Sequence, residues 1–221
     1  MERDAAFGVI LADAVDHLTA ADPVLAGMID RVGACGLSPF WSRSPFESLV
    51  RSVAYQQLQG RAAAVILGRF LALFDAPFPS PSDIARLDDE TMRAVGFSRS
   101  KVAAIRDIAV HAEKGVVPDR VTAETMDDTE LIARLTAIRG VGPWTVQMLL
   151  IFTLGRLDVL PVDDFGVRNG IRLAYGLDAP PSRNDVLSRG EDWRPYRSVA
   201  SWYLWRAAQG KQARGQDVPV G

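Results

Sequence analysis

Cysteine is nearly absent from this sequence of 221 residues, in which Cys35 is the only one. A single thiol cannot form an intrachain disulfide, a multi-cysteine zinc site or the four-thiolate shell of an iron–sulfur cluster. Histidine is scarce too, and His17 and His111 are interpreted as structural because neither belongs to a cluster of ligand residues. With 48% hydrophobic and 24% charged residues, the chain has the composition of a globular protein with an apolar core.

Long apolar runs are also missing. No stretch approaches the roughly 18 residues of a membrane span, and the N-terminus lacks the layout of a signal peptide. We therefore expect no membrane partner and a cytoplasmic location.

A net positive charge is absent, since the formal charge is −2, and this argues at first against a nucleic-acid partner. The charges are unevenly distributed, however. Residues 1–30 carry six acidic side chains and one basic, whereas residues 165–214 carry nine basic and four acidic. Arginine accounts for 22 of the 25 cationic residues, and its side chain suits bidentate phosphate contacts. The pattern permits a surface for a polyanion, although a solvated helix face is the simpler explanation.

Strand signals are scarce. The β-branched pair Val116–Val117 and the run Leu157–Val162 are too short or too closely bounded by proline to build a sheet. Helical periodicity extends through most of the remaining chain. Pro143 and Pro195 each suit the first turn of a helix, the latter with Gly210 just past its end. The sequence therefore predicts an all-α protein.

A glycine-containing turn joins two of the predicted helices. Its sequence is Ile-Arg-Gly-Val-Gly, residues 138–142, and Gly140 and Gly142 permit positive φ and close backbone approach. The free amides at the start of the second helix can bind an anion such as a DNA phosphate. Two glycines between helices are more often only a turn, so this pattern alone leaves both interpretations open.

An aspartate lies 22 residues after Gly142, within the stretch Leu160-Pro161-Val162-Asp163-Asp164. The hairpin, the proline-containing stretch and Asp164 together resemble the helix-hairpin-helix (HhH-GPD) superfamily of DNA glycosylases, and most closely its 3-methyladenine DNA glycosylase II type. Residues 53–58, 96–101 and 193–198, the last leading to Trp205, carry the same resemblance, which covers roughly residues 44–209.

The resemblance implies a two-lobed helical fold without the extra N-terminal β domain of larger family members. One lobe would comprise residues 45–156 and contain the hairpin at residues 131–150. The other would combine residues 1–44 with residues 157–221, with the active-site cleft at the junction. We expect the protein to be a monomer.

The resemblance further implies a monofunctional glycosylase of base excision repair in the bacterial cytoplasm or nucleoid. Such an enzyme flips an alkylated base, of the 3-methyladenine type, out of duplex DNA and hydrolyses its N-glycosidic bond. Asp164 would be the catalyst, because a carboxylate stabilises the oxocarbenium-like sugar left when the base departs. Asp163 is interpreted as the cap of the following helix, although either aspartate could serve as the cap.

The base pocket and the wedge are also implied by the resemblance. Trp144 and Trp205 would stack on the base, and a tryptophan face attracts a cationic purine by about 0.5–2 kcal/mol. Core packing is the alternative role of both tryptophans. Met148 takes a pocket position where the family has an aromatic side chain. Gln57 takes the wedge position, with Leu58 as the alternative.

The hairpin would serve DNA binding and hold an ion. The expected phosphate-binding residues are Gly140, Val141, Gly142, Trp144 and Thr145. A structural sodium or potassium ion would be held by the main-chain carbonyls of Thr136, Ile138 and Val141. No cofactor is expected for catalysis.

Lysine is missing where bifunctional members of the superfamily carry it. Those enzymes place a lysine shortly after the hairpin, and it attacks the sugar through a Schiff base. Here Trp144 stands two residues after Gly142, and the nearest downstream lysine is Lys211. The resemblance therefore implies no AP lyase activity.

Two rival functions are compatible with a helical hairpin protein. A non-catalytic helix-hairpin-helix DNA-binding module would have no need for Asp164. A helical protein-interaction domain would not bind DNA even at low salt, where phosphate contacts are strongest.

Overall fold

The computed structural model describes residues 2–58 and 60–209. Within these residues thirteen helices and no strand are present, which confirms the predicted all-α class. The helices are α1 Glu2–Ala21, α2 Pro23–Val32, α3 Pro45–Tyr55, α4 Gly60–Leu71, α5 Pro81–Arg86, α6 Asp89–Ala94, α7 Arg99–Glu113, α8 Arg120–Thr125, α9 Asp128–Leu135, α10 Pro143–Phe152, α11 Phe165–Tyr175, α12 Arg183–Gly190 and α13 Arg197–Gln209. None of these helices combines the length and apolar character needed to cross a bilayer.

The last helix starts later than predicted. It begins at Arg197 and not at Pro195, because Tyr196 still belongs to the preceding turn. The Tyr196 amide donates a hydrogen bond to the Trp193 carbonyl at 2.8 Å. The glycine expected just past its end, Gly210, lies outside the described residues.

The described residues divide into two compact units. The hairpin unit comprises the described residues of 40–154, and the terminal unit combines residues 2–39 with residues 155–209. Each unit has its own set of buried apolar side chains.

The core of the hairpin unit forms where α3 packs against α4, α7 and α10. Ser44 caps helix α3, since its Oγ accepts the Glu47 amide at 3.1 Å, and Pro45 fits the first helical position. Leu49, Val50 and Val53 are fully buried on its inner face. Helix α10 is apolar nearly all round, which is typical of a helix enclosed by others.

The core of the terminal unit centres on α11 and α13. The two helices approach closely at Gly170, where an added Cβ would lie only 2.3 Å from the Leu204 carbonyl oxygen. Any side chain there would force the helices apart, so glycine sets their spacing. Helices α1 and α2 pack on α13 from the N-terminal segment.

Asp22 ties the N-terminal helices to the rest of the terminal unit. Its carboxylate caps α2 and accepts hydrogen bonds from the Tyr175 hydroxyl and, at 2.9 Å, from Trp193 Nε1. Burial opposes its ionisation and is the largest single effect, but the hydrogen bonds from Tyr175, Trp193 and the amides of Leu25 and Val24 outweigh it. The pKa of Asp22 therefore lies below its ordinary value.

Candidate active site

Asp164 caps α11 and contacts a tryptophan from α13. Its Oδ1 accepts the Val167 amide at 2.8 Å and the indole Nε1–H of Trp205, also at 2.8 Å. Asp164 is 8% exposed and Trp205 is 4% exposed. A buried carboxylate is thus held in one orientation by a backbone donor and a side-chain donor.

The sequence predicts the cap at the neighbouring Asp163, and that prediction is wrong. Asp164 directly precedes the first helical residue, so its side chain reaches the third amide of the helix. Asp163 instead forms an exposed ion pair with Arg183, at 2.8 Å. Capping and catalysis, treated as alternatives for Asp164, are compatible, because the cap fixes the carboxylate in place.

Gly166 makes the contact between Asp164 and Trp205 sterically feasible. A Cβ at this position would lie 2.7 Å from Trp205 Cδ1 and 3.0 Å from Asp164 Oδ1. Sequence reasoning missed this residue. The available signal was the spacing of Gly166 and Gly170, four residues apart, which places both on one face of α11.

The segment leading to Asp164 is anchored to the start of α13. Ser198 Oγ accepts the Val159 amide at 3.0 Å and donates to the Arg156 carbonyl at 2.8 Å. The guanidinium of Arg197 forms an ion pair with Asp158, with a shortest distance of 2.6 Å. These contacts give a structural role to Arg197 and Ser198, the last two residues of the stretch 193–198 that carried part of the family resemblance.

The hairpin joins α9 to α10 through a tight turn. Gly140 has φ +78°, and a Cβ there would lie 2.6 Å from Ala104 Cβ on α7. Gly142 is extended, with φ −97°, and a Cβ there would meet nothing within 4 Å. The expected positive φ therefore occurs at Gly140 and not at Gly142, because only the first glycine turns the chain.

Two side chains missed by sequence reasoning hold the turn in place. Asp107 on α7 accepts the Arg139 amide with Oδ2 at 2.7 Å. Gln56, just after α3, donates with Nε2 to the Gly140 carbonyl at 3.1 Å and lies 3.4 Å from Thr145 Oγ1. The turn is thereby bonded to two helices that are distant from it in sequence.

Of the predicted phosphate-binding residues, Gly142 is the N-cap of α10, and no side chain at this position caps the helix. Trp144 is half-buried, whereas Val141 is 5% exposed and Thr145 is 2% exposed. The Thr145 hydroxyl faces Gln56, so a phosphate contact from this residue would have to come from its backbone.

The predicted ion site lies in the same turn. The Ile138 carbonyl accepts the Val141 amide at 3.1 Å, so one of the three proposed ligand carbonyls already takes part in the hydrogen bond of the turn. Neutral carbonyl oxygens suit sodium or potassium, which need no charged ligand. Among residues 2–58 and 60–209, no group of three or more His, Cys, Asp or Glu residues could hold a metal ion.

An open pocket of about 320 Å³ brings Trp144 together with both wedge candidates. Its lining consists of Ser52, Tyr55, Gln56, Gln57, Leu58 and Trp144. Gln57 is exposed and adopts φ +58°, a conformation that non-glycine residues rarely take and that often marks a functional position. Leu58 is 39% exposed. Tyr55 is a further aromatic lining residue that sequence reasoning did not single out.

Met148 lies outside this pocket. It is fully buried in α10 and lines a separate cavity of about 10 Å³ together with Phe40, Ser48, Ser52 and other residues. Such a volume is close to the minimum for one water molecule. Ser52 lines both spaces, so Met148 lies behind the pocket wall, and its contact with a base stays a prediction.

Two candidate nucleophilic side chains, those of Lys101 and Cys35, are engaged or held protonated. Lys101 Nζ donates to the Ala54 carbonyl at 2.6 Å, at the end of α3, and burial lowers its pKa. Burial raises the pKa of the Cys35 thiol to about 11, which keeps it protonated. Lys114 is exposed at the end of α7, and Lys211 lies outside the described residues.

Comparison with known proteins gives consistent matches. Residues 50–195 match the family described as HhH-GPD superfamily base excision DNA repair protein. DNA-3-methyladenine glycosylase 1 of Schizosaccharomyces pombe is 44% identical over 168 residues, which cover 76% of this chain and 74% of that protein.

Two solved structures are similar over most of their length. The Schizosaccharomyces pombe 3-methyladenine DNA glycosylase in complex with abasic DNA has a TM-score of 0.83 and 40% identity, covering 88% of this chain and 95% of that one. The DNA-3-methyladenine glycosidase of Bacillus halodurans has a TM-score of 0.79 and 37% identity, covering 89% of each chain.

Proposed function

The chain belongs to the HhH-GPD superfamily of base excision DNA repair proteins, and from this membership we propose that Asp164 and its surroundings release alkylated bases from duplex DNA. It is a DNA glycosylase that acts in base excision repair, as a DNA-3-methyladenine glycosylase. The observation that carries the proposed mechanism is the buried Asp164 carboxylate, fixed by Val167 and Trp205.

Asp164 acts on the sugar. As the N-glycosidic bond breaks, positive charge develops on the deoxyribose, and a fixed carboxylate beside it lowers the energy of that state. The 8% exposure of Asp164 supports this role, because little water is present to screen the attraction. The same carboxylate can orient or deprotonate the water that attacks the sugar.

Aromatic faces select the base. An N-alkylated purine is cationic and its glycosidic bond is already weakened, so stacking on Trp144 and Trp205 favours it over a neutral base. We keep Met148 as a less defined part of this pocket, since its side chain is soft and polarizable. Gln57 or Leu58 fills the gap that the flipped nucleotide leaves, and the rim position of both supports this role.

The hairpin holds the DNA backbone. The backbone amides of Gly142, Trp144 and Thr145, at the start of α10, point away from the helix and can bind a phosphate, whereas Pro143 has no N–H. Such contacts position the duplex and carry no information on the lesion. A sodium or potassium ion on the carbonyls of Thr136, Ile138 and Val141 would add positive charge at this place without taking part in the chemistry.

The finer class is that of a monofunctional, type II enzyme without AP lyase activity. A lyase needs an amine at the sugar, and Trp144 occupies the position of the lysine in bifunctional members. The engagement of Lys101 with the Ala54 carbonyl supports this class further. We propose that the protein acts as a monomer in the bacterial cytoplasm and nucleoid, on duplex DNA that contains alkylated bases.

A panel of duplexes, each with a single lesion, tests the proposal. The purified protein should release 3-methyladenine as the free base, and Asp164→Asn should lower the rate by about 10²–10³ while DNA affinity stays within a few-fold. Asp163→Asn is the matched control, because that exposed side chain pairs only with Arg183 in the described contacts. Binding without base release by the wild type would make the protein a non-catalytic DNA-binding module.

A further inference from the structure

Trp205 makes a contact that base stacking alone does not require. Its indole N–H donates to Asp164 Oδ1 at 2.8 Å, and the same oxygen accepts the Val167 amide. Hydrogen bonds to an ionised acceptor are roughly twice as strong as neutral ones. Two donors on one oxygen, from different helices, restrict the rotation of the carboxylate about both of its side-chain torsions.

Gly166 is the residue that leaves room for this contact. A Cβ there would lie 2.7 Å from Cδ1 and 3.2 Å from Nε1 of Trp205, and 3.0 Å from Asp164 Oδ1. The backbone at Gly166 is helical, so its conformation does not demand glycine. The requirement comes from the indole and the carboxylate, one of which would have to move.

Gly170 has a different task one turn further along α11. Its Cα faces the backbone of α13, where a Cβ would lie 2.3 Å from the Leu204 carbonyl oxygen. Gly170 therefore sets the distance between α11 and α13. Gly166 instead leaves room for the indole of Trp205, the residue that follows Leu204. Gly170 thus serves the packing of the two helices, and Gly166 serves the alignment of Trp205 with Asp164.

We propose that Trp205 is a positioning residue for Asp164 and that Gly166 admits its indole. The N–H of Trp205 holds the carboxylate in the rotamer that faces the sugar, in addition to any stacking of the ring on the base. This proposal rests on the proposed role of Asp164 as the catalyst. A displacement of about 1 Å at a reacting group can cost 10²-fold in rate, so the alignment matters for catalysis.

Trp205→Phe tests the hydrogen bond, because it keeps an aromatic ring and removes the donor. Single-turnover release of 3-methyladenine at saturating protein should fall about 10- to 100-fold. Affinity for a duplex that carries the lesion, measured in the Asp164→Asn background where release is slow, should stay within a few-fold of the Asp164→Asn single variant, with the thermal unfolding temperature measured in parallel. A rate equal to wild type would overturn the positioning role, and so would parallel losses of rate and affinity, which indicate a stacking wall only.

Gly166→Ala supplies an independent test with Trp205 retained. It should lower the release rate to a similar extent, whereas Gly68→Ala, in an exposed helix position with nothing within 4 Å, should not. In the Trp205→Phe background the added methyl should cost less rate than it does in the wild type, because the phenyl ring is not hydrogen-bonded to Asp164 and can move away from the methyl. Additive losses of rate in the double variant would show that Gly166 acts independently of Trp205. They would overturn the proposal that Gly166 admits the Trp205 indole.

The failure of this inference differs from that of the proposed function. If the wild type releases no base from any lesion, the proposed function fails. If the wild type releases base and the variants do so equally fast, only the positioning role fails.

Discussion

Gly140→Ala is expected to destabilise the protein and to weaken its binding to all duplex DNA. The residue has φ +78°, and a left-handed conformation costs roughly 1–2 kcal/mol for a residue with a Cβ. The new Cβ would also lie 2.6 Å from Ala104 Cβ, an overlap for which crowding costs of about 1–3 kcal/mol are typical. Partial relaxation of the turn leaves a net loss of about 2–3 kcal/mol, or roughly 4–12 °C in the unfolding temperature of a protein of this length.

Gly142→Ala is the matched control. Its φ of −97° suits any residue, and a Cβ there meets nothing within 4 Å, so stability should change by no more than about 0.5 kcal/mol. A bulky residue such as Val at this position should nevertheless weaken DNA binding, because it would crowd a phosphate at the start of α10. Substitutions of Gly140 thus test the shape of the turn, and substitutions of Gly142 test the approach of the DNA backbone.

Thermal unfolding and titration of damaged and undamaged duplexes check these expectations. Gly140→Ala should lower both the unfolding temperature and both affinities, by similar factors for the two duplexes. An unchanged unfolding temperature would refute the reasoning on strain. An affinity loss confined to damaged DNA would place the hairpin in base recognition instead.

Three further outcomes are expected. The Asp22 carboxylate, whose pKa is lowered, stabilises the fold above its ordinary pKa of 3.8, and this contribution is lost as the pH falls through the lower folded value. Asp22→Asn should therefore lower the free energy of unfolding in urea by about 1–3 kcal/mol at pH 7. It should also weaken the dependence of stability on pH in the acidic range, and an unchanged dependence contradicts this. Borohydride should trap no adduct with abasic DNA, and an adduct abolished by mutating Lys101, Lys114 or Lys211 would show a lyase. Gln56→Ala should speed hydrogen exchange at residues 138–142, whereas equal rates would show that its bond to the Gly140 carbonyl is not needed.

The helical class and the hairpin were predictable because both depend on local signals. Proline and capping residues mark helix starts, and Gly140 marks a turn over a span of five residues. Asp164 was singled out through the family resemblance, of which its spacing from the hairpin is one part, and its catalytic role stays a prediction. The choice of Asp163 as the cap failed because helix boundaries shift by a residue under forces that local sequence does not show.

The supports of the site were not predictable, because each depends on residues far apart in the chain. Gln56 contacts Gly140, which lies 84 positions later, and Trp205 contacts Asp164 across 41 positions. No periodicity or local motif predicts contacts between residues that are so far apart in the sequence. Met148 illustrates the same limit, since the family resemblance places it in the base pocket while tertiary packing buries it completely.

The left-handed backbone at Gln57 bears on how quickly DNA can be searched. The conformation costs roughly 1–2 kcal/mol, and that cost is met once, when the chain folds. If Gln57 is the wedge, as proposed, its side chain is already presented to each base pair that the protein encounters, and no loop has to be ordered at every step along the duplex. A preorganised probe shortens each inspection, which matters most for a repair protein that must reject a vast excess of intact DNA before it meets one lesion.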